Sequence, residues 1–249
     1  MVLMERKRYL GVGITMATKY NFKRDAELLE NMRKEMGMQV FPSDNAIWDD
    51  WFGGFQKGCL QIICAATGHG KTTFLIAMAK NAVNANLKVL YIGSEQPAMI
   101  LQEVMEGYDI DFVLKDGSSM EECIGEDKYD LIIYDYLGAE SGANGKAQEW
   151  QVFRDDADYL SNLALRTNSC ILVGCQGTDD LNNVKDFSEI KGSKYVAFAK
   201  QIMNKVSSGA YLIRKEGKSY LKMIKNRYGE FKPETMQLRG LNYATKKFE

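Results

Sequence analysis

Residues 65–72 read Ala-Ala-Thr-Gly-His-Gly-Lys-Thr, and these side chains at this spacing suit a phosphate ligand. Gly68 and Gly70 let backbone N–H groups turn inward around phosphate oxygens. Lys71 brings charge to the β- and γ-phosphates, and the Thr72 hydroxyl is placed to ligate Mg²⁺. Ala66, Gly68, His69, Gly70, Lys71, Thr72 and Thr73 are therefore the expected nucleotide contacts. The stretch follows an apolar run and opens a helical one, the context a P-loop requires. Ala65 stands where the usual pattern has its first Gly, and a chance Gly-rich turn is the alternative. His69, the single histidine of the chain, reads as an exposed loop residue with no catalytic role.

A second acid follows from position. Asp135 ends the apolar run Leu131–Tyr134, and a carboxylate at the carboxyl end of a core strand faces the ligand crevice of a doubly wound sheet. There it can hold the Mg²⁺ shell; a solvated strand-end Asp is the plainer reading. Tyr136 occupies the place where many P-loop ATPases carry a catalytic Glu, so a general base must come from elsewhere. Glu95, in Ile-Gly-Ser-Glu-Gln-Pro after the strand Val89–Gly93, is the best candidate, on a strand expected close to the P-loop strand. It could also simply cap the following helix. Gln176, after Ile171–Gly174, could contact the γ-phosphate or attacking water and relay nucleotide state, or be an ordinary polar strand end.

These residues need an alternating α/β frame. Leu60–Ala65, Val89–Gly93, Leu131–Tyr136 and Ile171–Gly174 read as buried strands, and Thr72 to about Ala85 as a helix. Trp150, Phe153, Ala157, Leu160 and Ala164 mark one face of a long helix, and another helix is expected near Val196–Val206. Residues 177–194 read as a polar loop. Ala210–Arg214 and Tyr220–Lys225 read as antiparallel strands. The fold expected is a mostly parallel twisted sheet flanked by helices, with antiparallel strands at the C-terminal edge. Residues 1–40 form an arm with an amphipathic helix over Arg24–Met36, and 41–249 form one domain. Leu29, Met32 and Met36 make an apolar stripe that docks on a neighbouring subunit or on the chain's own core.

The composition is that of an ordinary globular protein, with 249 residues, 45% hydrophobic and 26% charged. A formal net charge of −1 excludes nucleic-acid binding over the whole surface and leaves only local binding. No apolar run approaches a membrane span, and the start is too short and charged for a signal peptide. The five cysteines form no CxxC pair, which argues against a zinc site and for buried thiols in a reducing cytoplasm, a host cytoplasm if the source is viral.

Taken in order, these segments resemble the motor domain of DnaB-like replicative helicases. The stretch from Ile47 to Phe74 looks like the family's opening and first motif. Val89–Pro97 is similar to its second, Leu131–Glu140 to its Walker B segment, and Ile171–Gly177 to its γ-phosphate-sensing segment. Leu221–Glu230 looks like its closing motif, where a Lys and an Arg two apart reach the neighbouring subunit's nucleotide; those are Lys225 and Arg227 here. By themselves they could equally be a solvated strand face. The resemblance spans roughly Phe41 to Leu238. It implies a RecA-like P-loop core, Glu95 as catalytic base, and ATP and Mg²⁺ as cofactors. It also implies a homo-oligomer, a hexamer for this family, with single-stranded DNA as partner and a primase or loader as further ones. The family's N-terminal helical domain and a primase module are not expected, and Asp179–Gly192 matches poorly.

The function expected is an ATP-driven, ring-forming motor that translocates on single-stranded DNA and unwinds duplex. A filament-forming recombinase or mediator ATPase is one alternative, and a non-translocating assembly ATPase another. Lys146, after Asp135, and Lys185, Lys191 and Lys194, after Gln176, are the expected DNA contacts. Asp179, Asp180, Asp186 and Glu189 among them allow a solvated mixed-charge loop instead.

Overall fold

A computed structural model of the protein describes residues 40–94, 96–116, 118–137, 146–197 and 202–248, with the backbone alone for 146–152 and Asp179. The arm helix expected over Arg24–Met36, the candidate base Glu95, and the loop directly after Leu137 lie outside these residues. So do residues 198–201 of the helix expected near Val196–Val206.

In chain order the elements are β1 (Val40–Phe41), α1 (Ala46–Phe52), β2 (Phe55–Gln56), β3 (Leu60–Ala65), α2 (Lys71–Asn84) and β4 (Val89–Gly93). Next come α3 (Ala98–Met105), β5 (Ile110–Leu114), α4 (Met120–Ile124), β6 (Leu131–Leu137), α5 (Lys146–Thr167) and β7 (Cys170–Gln176). The chain ends with β8 (Ser208–Lys215), β9 (Lys218–Asn226), β10 (Thr235–Leu238), β11 (Leu241–Asn242) and β12 (Lys247–Phe248). Eight strands form one sheet in the order β10-β9-β8-β3-β7-β6-β4-β5. From β8 to β5 every pairing is parallel; β9 and β10 add on antiparallel. The antiparallel edge expected from the tail is therefore present, and β8 joins it to the parallel part.

Parallel strands buried on both faces need apolar residues at every position. β3 meets that demand except at Gln61, whose buried amide donates to the Gly54 carbonyl at 3.2 Å and to Ser208 Oγ at 3.0 Å; all six of its residues are buried. Leu60, Ile62 and Cys64 face the layer of α5, where Phe153, Leu160 and Ala164 pack. Ile63 and Ala65 face the layer of α1 and α2, where Trp48, Phe74 and Leu75 pack. α1 is stopped at both ends: the Asn45 side chain accepts from the Trp48 N–H at 3.0 Å, and Gly53, left-handed at φ 74°, closes its C-terminus. All five cysteines are buried free thiols, and burial pushes the Cys175 thiol up to about 12.

Two expectations change. β4 does not neighbour the P-loop strand: β7 and β6 lie between them, and β4 borders β6. The crossover from β3 through α2 skips two positions that later strands fill. Residues 177–194 are not simply a loop. Two short 3₁₀ turns, Asp179–Asn183 and Phe187–Glu189, shape them, and Leu181 and Ile190 are buried. Acidic and polar residues outnumber apolar ones there, which hides two apolar anchors from any periodicity. α3, β5 and α4 were also not legible. β5 is an edge strand, partly exposed along its length, so its sequence carries no continuous apolar run. No helix among the described residues is long and apolar enough to cross a membrane.

Candidate nucleotide site

The phosphate loop lies at the carboxyl end of β3, at the point where successive connections diverge: β3 leads through α2 toward β4, and β7 leads to β8 on the opposite side of β3. Such a switch point opens a ligand crevice. Gly68 and Gly70 take φ values of 80° and 90°, the left-handed region that a Cβ disfavours. At Gly70 a Cβ would also stand 2.5 Å from Tyr243 Cε1, so this position must be Gly twice over.

Lys71 starts α2 and is nearly buried, 9% exposed. Its aliphatic stem lies along Gly174 of β7, where an added Cβ would meet Lys71 Cδ at 3.0 Å. Its Nζ stands 3.6 Å from Asp135 Oδ1 and 3.3 Å from the centre of the Tyr136 ring. The ammonium thus sits between a carboxylate and an aromatic face at a buried position, where both attractions are strong.

Asp135 is 3% exposed. Tyr91 of β4, wholly buried, donates its hydroxyl to Asp135 Oδ2 at 2.8 Å. The Asp135 carbonyl accepts the Ser94 N–H at 2.9 Å, and Ser94 Oγ accepts the Tyr136 N–H at 3.2 Å. The segment after β4 is therefore tied to the end of β6, and Gly93 pairs directly with Asp135. Glu95 follows that tie by one residue and itself lies outside the described residues.

Gln176 closes the other side. Its Nε2 donates to Thr67 Oγ1 at 2.9 Å, which puts the amide against the phosphate loop. The buried Oδ1 of Asp135 accepts no hydrogen bond among the described residues. A buried carboxylate oxygen left this way, at the carboxyl end of β6, fits the oxygen-only chemistry of Mg²⁺, and Thr72, the second residue of α2, offers a hydroxyl oxygen. The left-handed glycines and the N-terminus of α2 fit a polyphosphate.

Lys225 and Arg227 are not in this group. Lys225 Nζ donates to the Met203 carbonyl at 2.6 Å, and Arg227 Nη2 to the Asn204 carbonyl at 2.8 Å. Burial, and secondarily Arg227, lowers the Lys225 ammonium from its usual range. Arg227 N–H bonds Ser207 O, and Ser207 N–H bonds Leu60 O, each at 2.8 Å. Arg227 is thus level with the first residue of β3, while the phosphate loop follows its last. At roughly 3.3 Å per residue that is about 16 Å, beyond one side chain's reach.

Lys185, Lys191 and Lys194 are exposed at the same sheet edge as the phosphate loop. The Lys185 carbonyl accepts Lys215 Nζ, and Lys194 folds over Tyr195 at 4.9 Å. Lys146 is the first residue of α5, with its side chain outside the described set. The acids between the lysines have structural tasks: Asp186 Oδ1 accepts the Ser188 N–H at 2.8 Å, and Glu189 Oε1 the Asp186 N–H at 3.1 Å. The Ser188 hydrogen bonds, backbone first, hold the Asp186 carboxyl below its usual range. Phe187 packs on Tyr220 at 4.8 Å, and Tyr195 is 4% exposed, so neither ring is presented for stacking.

Four contributors were invisible in the sequence. Tyr91 and Ser94 reach Asp135 only through the β4–β6 register. Tyr136 marked a missing Glu, and its ring instead covers Lys71. Tyr243, in the turn between β11 and β12, hydrogen-bonds Ser219 Oγ at 2.6 Å and lies under Arg214 at 4.4 Å. Its only signal would have been an aromatic in a C-terminal turn, which is uninformative.

No family model matches the chain, and no curated protein does. Solved structures do. One ATPase domain superposes with a TM-score of 0.68 at 12% identity, covering 88% of this chain and 95% of that one. A DnaB-like replicative helicase, solved in a study of its interactions with primase, superposes with a TM-score of 0.66 at 14% identity, covering 94% of this chain and 67% of that one. The eight-stranded, mostly parallel sheet with its P-loop at the switch point is the RecA-like fold, as found in the ATPase domains of DnaB-like helicases.

Proposed function

We propose that this chain is an ATP-hydrolysing, ring-forming motor that moves along single-stranded DNA and unwinds duplex DNA in replication. The observation that carries the reading is the division of the site. Lys71, Asp135 and Gln176 gather at the carboxyl edge of the sheet, while Arg227 lies the length of β3 away. A subunit so built presents half a site at each end. A second copy, placed head to tail, brings Lys225 and Arg227 to the first copy's phosphates; an arginine supplied in trans stabilises the transition-state charge. Head-to-tail contacts of one kind close into a ring or continue as a filament, and electron microscopy of the nucleotide-bound protein distinguishes the two. The resemblance favours the ring, of six copies.

In this reading Thr72 and Asp135 hold Mg²⁺, which supplies positive charge to the β- and γ-phosphate oxygens. The phosphate-loop amides and Lys71 bind and orient the triphosphate. Glu95 takes the proton of the attacking water, and Gln176 stands where it can sense the γ-phosphate. Lys185, Lys191 and Lys194, with Lys146, face the bound strand; repeated around a ring, a few lysines per copy suffice to track phosphates.

Mixing Arg227→Ala with Lys71→Ala subunits is the test. Each variant alone is inactive. If Arg227 acts in trans, interfaces that pair an intact phosphate loop with an intact Arg227 form in the mixture and turnover returns. Co-assembly with no turnover sinks the composite site, and turnover that single-stranded DNA does not stimulate favours an assembly ATPase.

A further inference from the structure

A phosphate oxygen can bind Lys71 only where the ammonium is open to it, and here the ammonium nitrogen is sealed from solvent. Three groups close around this side chain among the described residues. Gly174 lies against its stem, Asp135 Oδ1 stands 3.6 Å from Nζ, and the Tyr136 ring lies over Nζ with its centre 3.3 Å away. A charged N–H···O bond needs about 2.7–2.9 Å between heavy atoms. One of the three must therefore move before a phosphate oxygen comes that close.

Two of them are fixed. Gly174 is backbone of β7, which β3 and β6 pair on either side. Asp135 is 3% exposed, and its other oxygen accepts the Tyr91 hydroxyl at 2.8 Å. Tyr136 differs, because its side chain is only half-buried. Its backbone is held: the N–H donates to Ser94 Oγ at 3.2 Å, and Leu137 beyond it is buried. The ring can therefore leave by rotation about its own side-chain bonds without disturbing the sheet. Its place over Lys71 comes from an irregularity in β6. Successive strand residues ordinarily point to opposite faces, yet Asp135 and Tyr136 meet one ammonium. The β6–β7 register shifts between Tyr134 and Leu137, and a break of this kind re-aims a side chain.

We propose that Tyr136 is a gate on the phosphate-binding lysine: its ring holds the Lys71 ammonium until a β- or γ-phosphate takes it and the ring swings aside. The inference rests on the nucleotide-binding reading of the P-loop. Tyr136 acts through Lys71 and is a positioning residue. A buried ammonium without compensation is costly; the ring and Asp135 offset that cost and keep Lys71 at the start of α2. A ligand must then displace the ring, so its apparent affinity is reduced by the fraction of molecules in which the gate is open. Only a ligand that brings a phosphate to Lys71 recovers that cost, which favours nucleoside di- and triphosphates over monophosphates.

Titration of the full chain with fluorescent ADP and Mg²⁺ reads the gate. Tyr136→Leu removes the ring and should tighten MgADP binding by roughly 5–30-fold, the worth of a desolvated cation–π contact, with a faster association rate. Its Tm should fall, because the same contact is lost from the free protein; a merely structural role would lower Tm and affinity together. Tyr136→Phe keeps a ring over the ammonium and should show no such tightening. AMP, followed by displacement of fluorescent ADP, should bind Tyr136→Leu no more tightly than the unmodified protein, since it brings no phosphate to Lys71. Weaker or unchanged MgADP binding by Tyr136→Leu refutes the gate, and so does equal tightening of AMP. If Tyr136→Leu does not fold, ¹⁹F NMR of the fluorotyrosine-labelled protein decides. The Tyr136 resonance, assigned by its loss in Tyr136→Phe, should shift with MgADP, and one that stays in place overturns the displacement. An unmodified protein that binds no nucleotide at all means that the reading of the P-loop has failed, and the gate with it; bound MgADP without these effects sinks the gate alone.

Discussion

Tyr91→Phe tests how the acid is held. The substitution removes one hydroxyl and leaves the ring, which is wholly buried, so packing in the α2 layer is preserved. What goes is the 2.8 Å bond to Asp135 Oδ2. A hydrogen bond to a charged acceptor contributes about 1.5–3 kcal/mol. Asp135 is 3% exposed, so water cannot readily replace the lost donor. The carboxylate keeps Lys71 at 3.6 Å but is free to rotate about its end bond. At about 1.4 kcal/mol per tenfold, the loss corresponds to roughly 10–150-fold in whatever depends on that orientation. Partners behind a metal ligand typically contribute about 10–100-fold in metal affinity or activity, and the two estimates agree. The assay is ATP turnover against Mg²⁺ concentration, with nucleotide binding in EDTA as control. The half-saturating Mg²⁺ should rise by one to two decades, as in ~10–100-fold, while metal-free binding holds. The same loss at a buried site lowers Tm by several degrees, at roughly 2–4 °C per kcal/mol for a chain of this size. An unchanged Mg²⁺ midpoint would refute the idea that Tyr91 orients Asp135.

Lys71→Ala should abolish hydrolysis and greatly weaken nucleotide binding, measured by turnover and fluorescence titration. Because Lys71 faces the buried Asp135, it should also lower thermal stability, and adding Asp135→Asn should recover part of that loss by removing the stranded charge. Glu95→Gln should bind ATP but turn it over about 10²–10⁴-fold more slowly; normal turnover would move the base elsewhere. Gly70→Ala should impair nucleotide binding and the packing of Tyr243 together, with both visible as a lower Tm that MgADP no longer raises. Lys185, Lys191 and Lys194 changed together to Ala should flatten the salt dependence of single-stranded DNA binding and remove DNA stimulation while basal turnover survives. An unaltered slope would place the DNA elsewhere.

How far the sequence reaches depends on how local the physics is. The phosphate loop was legible because strand, Gly-rich turn and helix follow one another within 25 residues, 60–84, and left-handed turns select Gly wherever they occur. Asp135 was legible because a carboxylate ending an apolar run has one sensible place in a doubly wound sheet. β3, β4, β6 and β7 were legible because strands buried on both faces read as nearly continuous apolar runs. β5 was not, since an edge strand escapes that demand, and neither were the apolar anchors Leu181 and Ile190 in a polar stretch. The order of strands was beyond reach in the same way. Nothing in Val89–Gly93 says that it pairs with β6 and has two strands between it and β3. That pairing alone brings Tyr91 and Ser94 to Asp135, 44 and 41 residues away. Tyr243 reaches the phosphate loop from 174 residues away, and His69 gains the Arg214 N–H only because β8 lies beside β3. Residue types and spacing determined which atoms could bind phosphate and magnesium. Only the tertiary structure decided which neighbours hold those atoms and that Arg227 lies at the far end of β3, because contacts between distant segments follow from packing and register, which leave no pattern in the local chain.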